Sequence, residues 1–489
     1  MRFNINRSRF WLYYPIVLKQ QKLFEDKLND IKKVTDINEG LSLVKDAVKF
    51  AVKNGTGYYA SEIIENACLK IASTIKCDCE ENPEPKSFLH VMTTAYSVGG
   101  HSRVVERWIN LSPKEQKHSI VVTNQGDELL PQWLVDVCEK KSGKLLSLNE
   151  KDDIERAKKL RAVAMKYEYV ILHVHMDDIT PILAFGVQDF KRPVVLFNHA
   201  DHLFWVGISI ADVVVDYRSV CNFTKERRLA SNVYCLGIPP ETNNEISGVC
   251  DKNKIRSELG IPLSSFVILT TGAAYKYAPI GRYDFPKILQ KVVGKDGKDI
   301  VCYAIGPSEK WTNWKCAKEN TQRIIPLGIV SDRDLYEKYL MAADLYVDSF
   351  PMSGGTSIRD AVSHSLPVLS LHISCQENNL FTQNPFLNGT QCHCKDAREF
   401  VKKCILAYED KDFRTLLKSE AADRFRVLQL DSWQLRLEKM INSIPKQHSI
   451  HSFKNVKGKD VVIDDNSVLL YHFYKEGLMS ILGEIKKRL

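Results

Sequence analysis

Nowhere in this chain do about 18 apolar residues run together, which excludes an ordinary membrane-spanning helix. Charge of one sign does not collect in blocks either. The net charge of +8 is spread over 489 residues. It suits an anionic substrate or an anionic membrane face and is too diffuse for nucleic acid. No period of about 34 residues recurs, so the helical start is not a tetratricopeptide array. A disulfide framework is missing too. The 13 cysteines are scattered, and Cys235, Cys302 and Cys404 fall in apolar runs, as buried thiols of a reducing cytosol do. The C-x2-C spacing of zinc modules is absent. Cys77 with Cys79, and Cys392-His393-Cys394, come nearest and read as reduced loop thiols. The stretch MRFNINRSRFWLYYPIVLKQQ has basic flanks but contains Pro15 and lacks a small-residue cleavage site, so it is not expected to be a signal peptide.

What is present is ordinary globular material, 44% apolar and 26% charged, with length for two to three domains. Residues 1–85 read as a helical segment, with Leu23, Leu28 and Ile31, then Leu41, Val44, Val48 and Val52, at helical spacing. Glu80 to Pro85 reads as a linker. From 86 to 245 short apolar runs (Phe88 to Met92, Ser119 to Thr123, Tyr169 to Val174, Val194 to Phe197, Val213 to Asp216) alternate with helical stretches. From 246 to 445 the alternation repeats, with strands expected at Phe266 to Thr270, Val301 to Ile305, Ile324 to Leu327 and Leu345 to Val347, then helices from Asp396 to Ile441. Such alternation implies α/β architecture with parallel, doubly wound sheets, whose ligands sit beyond the carboxyl ends of the strands. The tail, 446–489, carries an amphipathic helix from Ser467 with basic residues at its C-terminal end. It fits either a helix packed on the domains or peripheral membrane contact.

The densest signal is DLYVDSFPMSGGTSIRDAVSHSLPVLSL, from Asp344 to Leu371. It reads as strand, broken loop, helix from Thr356 and strand, a βαβ crossover. Gly354 and Gly355 let backbone approach a ligand closely. Thr356 and Ser357 then offer hydroxyls and amides at a positive helix end that welcomes a diphosphate. Asp360 follows Thr356 at i, i+4 and can accept hydrogen bonds from ribose hydroxyls. Other loops repeat the theme. Gly99, Gly100 and His101 open the first helix of the first domain, with a histidine able to relay a proton. His199 ends an apolar strand and should point into the mouth of a cleft. Lys276 follows the first strand of the second domain, where a cation can balance a leaving diphosphate. Gly306, with Pro307, and Gly328-Ile329-Val330 mark two further strand ends near which a nucleotide base can lie.

These motifs, in this order, resemble those of GT-B glycosyltransferases over roughly residues 88 to 375. The similarity is greatest to the O-linked N-acetylglucosamine transferases and the bacterial cytoplasmic N-glycosyltransferases. Asp344 to Pro351 resembles their D-x-x-L-D-x-x-P run, Thr356 to Asp360 their G-x-T-T-x-x-D turn, Val98 to His101 their F-G-x-H segment and Tyr275-Lys276 the end of their Q-L-Y-K segment. Gly355 stands where that family has a histidine. Pro193 to His199 also resembles P-V-V-x-x-x-H of the retaining GT-B family that includes phosphatidylinositol mannosyltransferase. That family's arginine and glutamate are replaced here by Ala273 and Met352; Arg282 lies near enough in sequence to substitute for the arginine. These replacements lean toward the inverting group.

The resemblance implies two Rossmann-like domains facing a cleft, with His101, His199 and Lys276 catalytic. It implies donor contacts from Gly99, Gly100, Lys276, Gly306, Gly354, Gly355, Thr356, Ser357 and Asp360. The donor is expected to be a nucleotide sugar, UDP-linked, and the acceptor a protein or glycan. No cofactor, metal or nucleic acid is expected. His199, Asp201 and His202, or His173 and His175, are the alternative metal ligands, and one of the latter two should line the cleft. The location implied is cytoplasmic, at most peripheral at the inner face of a membrane, and a homo- or hetero-oligomer is compatible with it. Two other functions fit the same fold: an inactive GT-B-like subunit or chaperone of an active transferase, and a sugar-nucleotide epimerase.

Overall fold

The computed structural model describes residues 14–77, 82–97, 100–201, 203–217, 221–240, 251–279, 283–293, 297–372, 387–426 and 430–452. They form two compact units, one from the residues up to 240 with the segment from 430, the other from the intervening residues. Gly99, Cys79, His202, Arg282 and the tail helix from Ser467 lie outside the described residues.

The first unit holds a seven-stranded parallel sheet. Its strands are β1 Glu84–Met92, β2 Lys117–Val122, β3 Leu145–Ser147, β4 Tyr167–His173, β5 Val194–Asn198, β6 Val213–Asp216 and β7 Val233–Cys235, in spatial order 3-2-1-4-5-6-7. The expected linker is shorter than its composition suggested. Glu84 and Pro85 already belong to β1, because the Glu84 amide bonds to the Lys166 carbonyl at 3.1 Å.

One face of this sheet shares a core with the three N-terminal helices, Tyr14–Lys33, Ile37–Lys53 and Glu62–Ala72. Phe24, Leu28, Val44, Val48, Ile64 and Cys68 pack there with Leu89, Val91 and Val170. Asp36 and Ser61 cap the second and third helices, accepting from the Glu39 and Ile64 amides. Glu65 is buried, and its carboxylate gathers the Gly207, Ile208 and Ser209 amides and the Ser209 hydroxyl.

The opposite face is covered by the helix Gly100–Leu111 and by Leu430–Ser443. The sequence reading carried the second domain through this last helix. Trp433, Leu437 and Met440 instead pack beside Phe88, Ile171 and Val195, because their i, i+4, i+7 stripe matches the first sheet's surface. On this face three wholly buried histidines come from neighbouring strands. His90 Nε2 lies 2.9 Å from His118 Nδ1, and His90 Nδ1 lies 3.1 Å from His173 Nε2.

The second unit repeats the order with β8 Phe266–Thr271, β9 Ile300–Ile305, β10 Ile324–Gly328, β11 Leu345–Val347, β12 Val368–Leu371 and β13 His393–Cys394. The spatial order is 10-9-8-11-12-13, all parallel. In the run Cys392 to Cys394, expected as loop thiols, His393 and Cys394 form the edge strand, and Cys392 and Cys394 are buried in the second unit's core. Asp344 anchors the front of β11 by pairing with Lys252 and Arg256 at 2.6 and 2.5 Å and accepting from the Val267 amide at 2.7 Å.

Burial holds His90 down to about 3, and His118 and His173 well below the usual imidazole range, so all three are neutral when folded. In the unfolded chain they protonate near pH 6.5. Stability is therefore full above that pH and falls as pH drops toward the depressed folded values. The loss is up to about 1.4 kcal/mol per pH unit for each histidine. Asp216, pushed up to about 6 by burial, works the other way between its unfolded and folded values. Urea unfolding should show a clearly lower midpoint at pH 5 than at pH 7; equal midpoints would reject the neutral trio.

Candidate active site

At the carboxyl edge of the first sheet, the loops are stitched together by Asp178. Its carboxylate accepts from the Thr93 and Thr123 hydroxyls, each at 2.7 Å, and from the Thr180 amide at 3.0 Å. Thr93 in turn accepts from the His175 amide at 2.8 Å. The ends of β1, β2 and β4 are thereby fixed together, and beside them meet three sequence-named histidines from the loops after β1, β4 and β5. The His101 and His199 rings lie 4.5 Å apart between centroids, and His101 and His175 lie 6.1 Å apart. Tyr96 stacks on His175 at 5.9 Å. His175, Met176, Phe197, Asn198, His199 and Trp205 line a small recess here. His173, the other histidine of its pair, belongs to the core.

Both ring nitrogens of His101 are buried and have no well-aligned hydrogen-bond partner among the described residues. Burial, and then the neighbouring His199 and His175 rings, hold it well below the usual imidazole range, partly offset by the His173 carbonyl. The imidazole is therefore neutral. Gly100 opens its helix.

The His199 turn is held from two sides. Asn198 donates to Asp216 at 2.7 Å, and Thr224 donates to the same carboxylate at 2.8 Å. Arg228, itself buried, donates to the carbonyls of Ala200 and Leu203 while lying over the Tyr59 and Trp205 rings. Sequence reading gave no hint of Arg228, whose partners are carbonyls and rings distant in the chain. No group of three or more metal-ligating side chains with a geometry to hold an ion occurs among the described residues.

At the carboxyl edge of the second sheet, glycines let three loops close on one another. Gly306 has φ +109, and a Cβ there would stand 1.9 Å from the Gly272 carbonyl oxygen. The Gly272 amide bonds to Ile305, Gly306 to Gly328 and Gly328 to Pro307. After Gly272 the chain makes the short 3-10 turn Ala274–Tyr277. Tyr277 is buried there against Phe285 and Trp314, with its hydroxyl 2.9 Å from that of Thr270. Lys276, half-buried on this turn, accepts at its carbonyl from the Met352 amide at 3.3 Å, and its side chain passes beside Gly272.

Asp348 is the residue that sequence reading left unassigned. It is wholly buried and accepts from the Gly354 amide at 2.8 Å, Ser353 Oγ at 2.5 Å and Ser370 Oγ at 2.9 Å. Burial raises its pKa, and these bonds, with the nearby Lys276 cation, pull it back. It thus pins the loop Ser349–Gly355. A Cβ on Gly354 would meet Ser357 Oγ at 2.3 Å and Asp348 Oδ1 at 3.1 Å, so a larger residue would have to displace these side chains. The signal was an acid closing an apolar strand ahead of a Ser/Gly loop.

The helix Thr356–Ser363 begins at Gly355 with no side-chain cap, leaving the amides of its first turn to other partners. Asp360 is buried one turn along and receives the Tyr336 hydroxyl at 3.1 Å. Tyr346, whose hydroxyl reaches Thr271 Oγ1 at 3.2 Å, lies between this helix and the β8 end. Lys276, Gly306, Gly354, Gly355, Thr356, Ser357 and Asp360 therefore share one sheet edge.

No protein-family model matches the chain, and no curated protein matches it in sequence. Solved structures do match in fold. Anabaena HepE in complex with UDP-glucose superposes with a TM-score of 0.53 at 12% identity, over 73% of this chain and 99% of that one. HepE with UDP and glucose gives 0.52 at 13% identity over the same shares. A glycosyltransferase from Rickettsia africae gives 0.53 at 14%, over 74% and 100%. The architecture is that of the GT-B glycosyltransferases, as the sequence motifs implied.

Gly306→Ala should be costly, because the methyl meets backbone and the left-handed φ is strained at once. A loss of about 2–4 kcal/mol in denaturant unfolding is expected; a variant as stable as wild type would show that the β8 and β9 loops are not packed through this glycine.

Proposed function

We propose that this GT-B chain transfers a sugar from a UDP-linked donor to a protein or glycan acceptor, without a metal. The observation that carries the reading is the arrangement at the second sheet's edge. One buried acid, Asp348, orients an uncapped helix start, and Lys276 is bonded through its backbone to the same loop. On this reading the amides of Gly355, Thr356 and Ser357 take the diphosphate. Asp360, with Tyr336 beside it, takes the ribose hydroxyls. Gly306 and Gly328 hold the loops after β8, β9 and β10 together, beside which the base lies on this reading.

The reaction is a displacement at the anomeric carbon. An acceptor O–H or N–H attacks, the bond from that carbon to the phosphate oxygen breaks, and UDP leaves with the electron pair. Lys276 supplies positive charge to the leaving diphosphate, which supports transfer without a divalent ion. His101, neutral and without a well-aligned partner, accepts the acceptor's proton, and His199 contacts the sugar. Ala273 and Met352, in place of a retaining enzyme's arginine and glutamate, favour inversion. Cys68, Cys138, Cys302, Cys392, Cys394 and Cys404 are buried free thiols, in keeping with a cytoplasmic site of action. Among the described residues no helix is long and apolar enough to cross a membrane.

UDP should raise the melting temperature more than GDP or ADP, since a ligand of the native state stabilises by mass action; no shift with UDP overturns the donor assignment. Lys276→Ala should lower transfer by about 100-fold or more with unchanged circular dichroism, and unchanged turnover removes Lys276 from the mechanism. Asp360→Ala should weaken UDP binding by about ten- to a hundredfold in calorimetry, the worth of charge-assisted hydrogen bonds. Equal affinity rejects the ribose role.

A further inference from the structure

The donor chemistry gives no task to the opening stretch of the chain. Over the whole length the basic surplus is spread, but the first 24 residues hold Arg2, Arg7, Arg9, Lys19 and Lys22 and no acid. Phe10, Trp11 and Tyr13 stand among them. Residues 1–13 lie outside the described residues.

The helix Tyr14–Lys33 continues this stretch, and its two sides differ. Phe24, Leu28 and Ile31 are buried in the first unit's core. Phe24 meets Tyr58 edge-on at 5.3 Å and Phe204 at 5.7 Å, so the helix is fixed in place. Its other side carries Leu18, Lys19, Lys22 and Leu23, all exposed. At roughly 100° per residue these four span about 140° of the helix, with the buried residues facing away from them. Leu18 is 39% exposed and Leu23 40%. One exposed leucine needs no explanation. Two that flank a pair of lysines, with no acid in these turns, make a small amphipathic face. Neither lysine enters an ion pair among the described residues. The acids begin with Glu25, which accepts from the Tyr58 hydroxyl at 2.9 Å, and with the exposed Asp26, one turn beyond Lys22.

We infer that this face, with the basic and aromatic stretch before it, seats the chain on an anionic lipid surface. Lysine and arginine are drawn to acidic headgroups, while tryptophan and tyrosine favour the zone between headgroup and acyl chain. Leucines beside them enter the acyl boundary. A soluble polyanion would use the cations and leave Leu18 and Leu23 in water. An apolar protein partner would cover the leucines and leave the cations unpaired. A bilayer with acidic charge at its surface and hydrocarbon beneath satisfies both. The far side of the helix is already packed in the core, so docking asks for no unfolding of the first unit. The contact is peripheral and crosses nothing. Docking of this kind is independent of the sugar chemistry.

Cosedimentation of the full chain with vesicles tests the assignment. Vesicles of phosphatidylglycerol and phosphatidylcholine in equal parts should bind it about tenfold or more tightly than phosphatidylcholine alone, and binding should weaken as salt is raised. Lys19→Glu with Lys22→Glu, and separately Leu18→Ser with Leu23→Ser, should each lower that binding about tenfold or more. All four positions are exposed, so both variants should keep the wild-type melting temperature. A full chain that stays off the anionic vesicles overturns the lipid assignment, and so does equal binding to neutral ones. Binding unmoved by either pair puts the contact elsewhere and overturns it too. Loss with the lysine pair but not with the leucine pair marks a site for a soluble polyanion and also overturns it. The melting shift caused by UDP should be the same in the wild type and both variants, so a failure of the donor reading would show itself separately.

Discussion

A single desolvated carboxylate governs the second unit's working edge. Asp348 cannot reach water, so its lone pairs must be satisfied from within the fold, and the donors it finds are the Gly354 amide and the Ser353 and Ser370 hydroxyls. Meeting that demand sets the course of the loop after β11, and the loop's course sets where the next helix begins. The position of Thr356, Ser357 and Asp360 follows from the solvation of an acid that touches none of the proposed ligand. The first unit solves the same problem with Asp178, less buried, which ties the ends of β1, β2 and β4 through two threonine hydroxyls. In both, parallel strands leave their loops at one edge, and an acid beneath those loops converts several flexible connections into one surface.

Most of the architecture was legible because parallel strands covered on both faces must be apolar throughout. Val194 to Phe197 and Val213 to Asp216 are such runs. The strands that escaped notice, β3, β7 and β13, are short edge strands of two or three residues. They have too few positions to show a pattern, and in β13 the residues His393 and Cys394 looked like loop chemistry. The helix Leu430–Ser443 was legible as a helix, yet its stripe could not announce which sheet it would cover.

Site residues divided along a similar line. Lys276, Asp360, Gly306, Gly354 and Gly355 could be named as candidates because turn chemistry is local and ordered along the chain. Arg228 acts by donating to backbone brought near only by folding, so no spacing betrays it, whereas Asp348 bonds mostly to the loop just after it and left a local signal that went unread. His90 and His118 were hidden for the opposite reason. Inside apolar runs they look like tolerated core polar residues, and only the register of β1 against β2 and β4 shows that their rings touch.

The Glu65 carboxylate has a consequence for how this protein can be divided. It comes from the third N-terminal helix but satisfies three consecutive amides far along the sheet, at Gly207, Ile208 and Ser209. Arg161 returns the favour from the sheet side, donating to the carbonyl of Ile75 at 2.6 Å. Removing the opening helices would therefore take from the sheet both the acceptor of these amides and the apolar cover over Leu89, Val91 and Val170. The opening helices are part of the first unit and share one core with the sheet they cover.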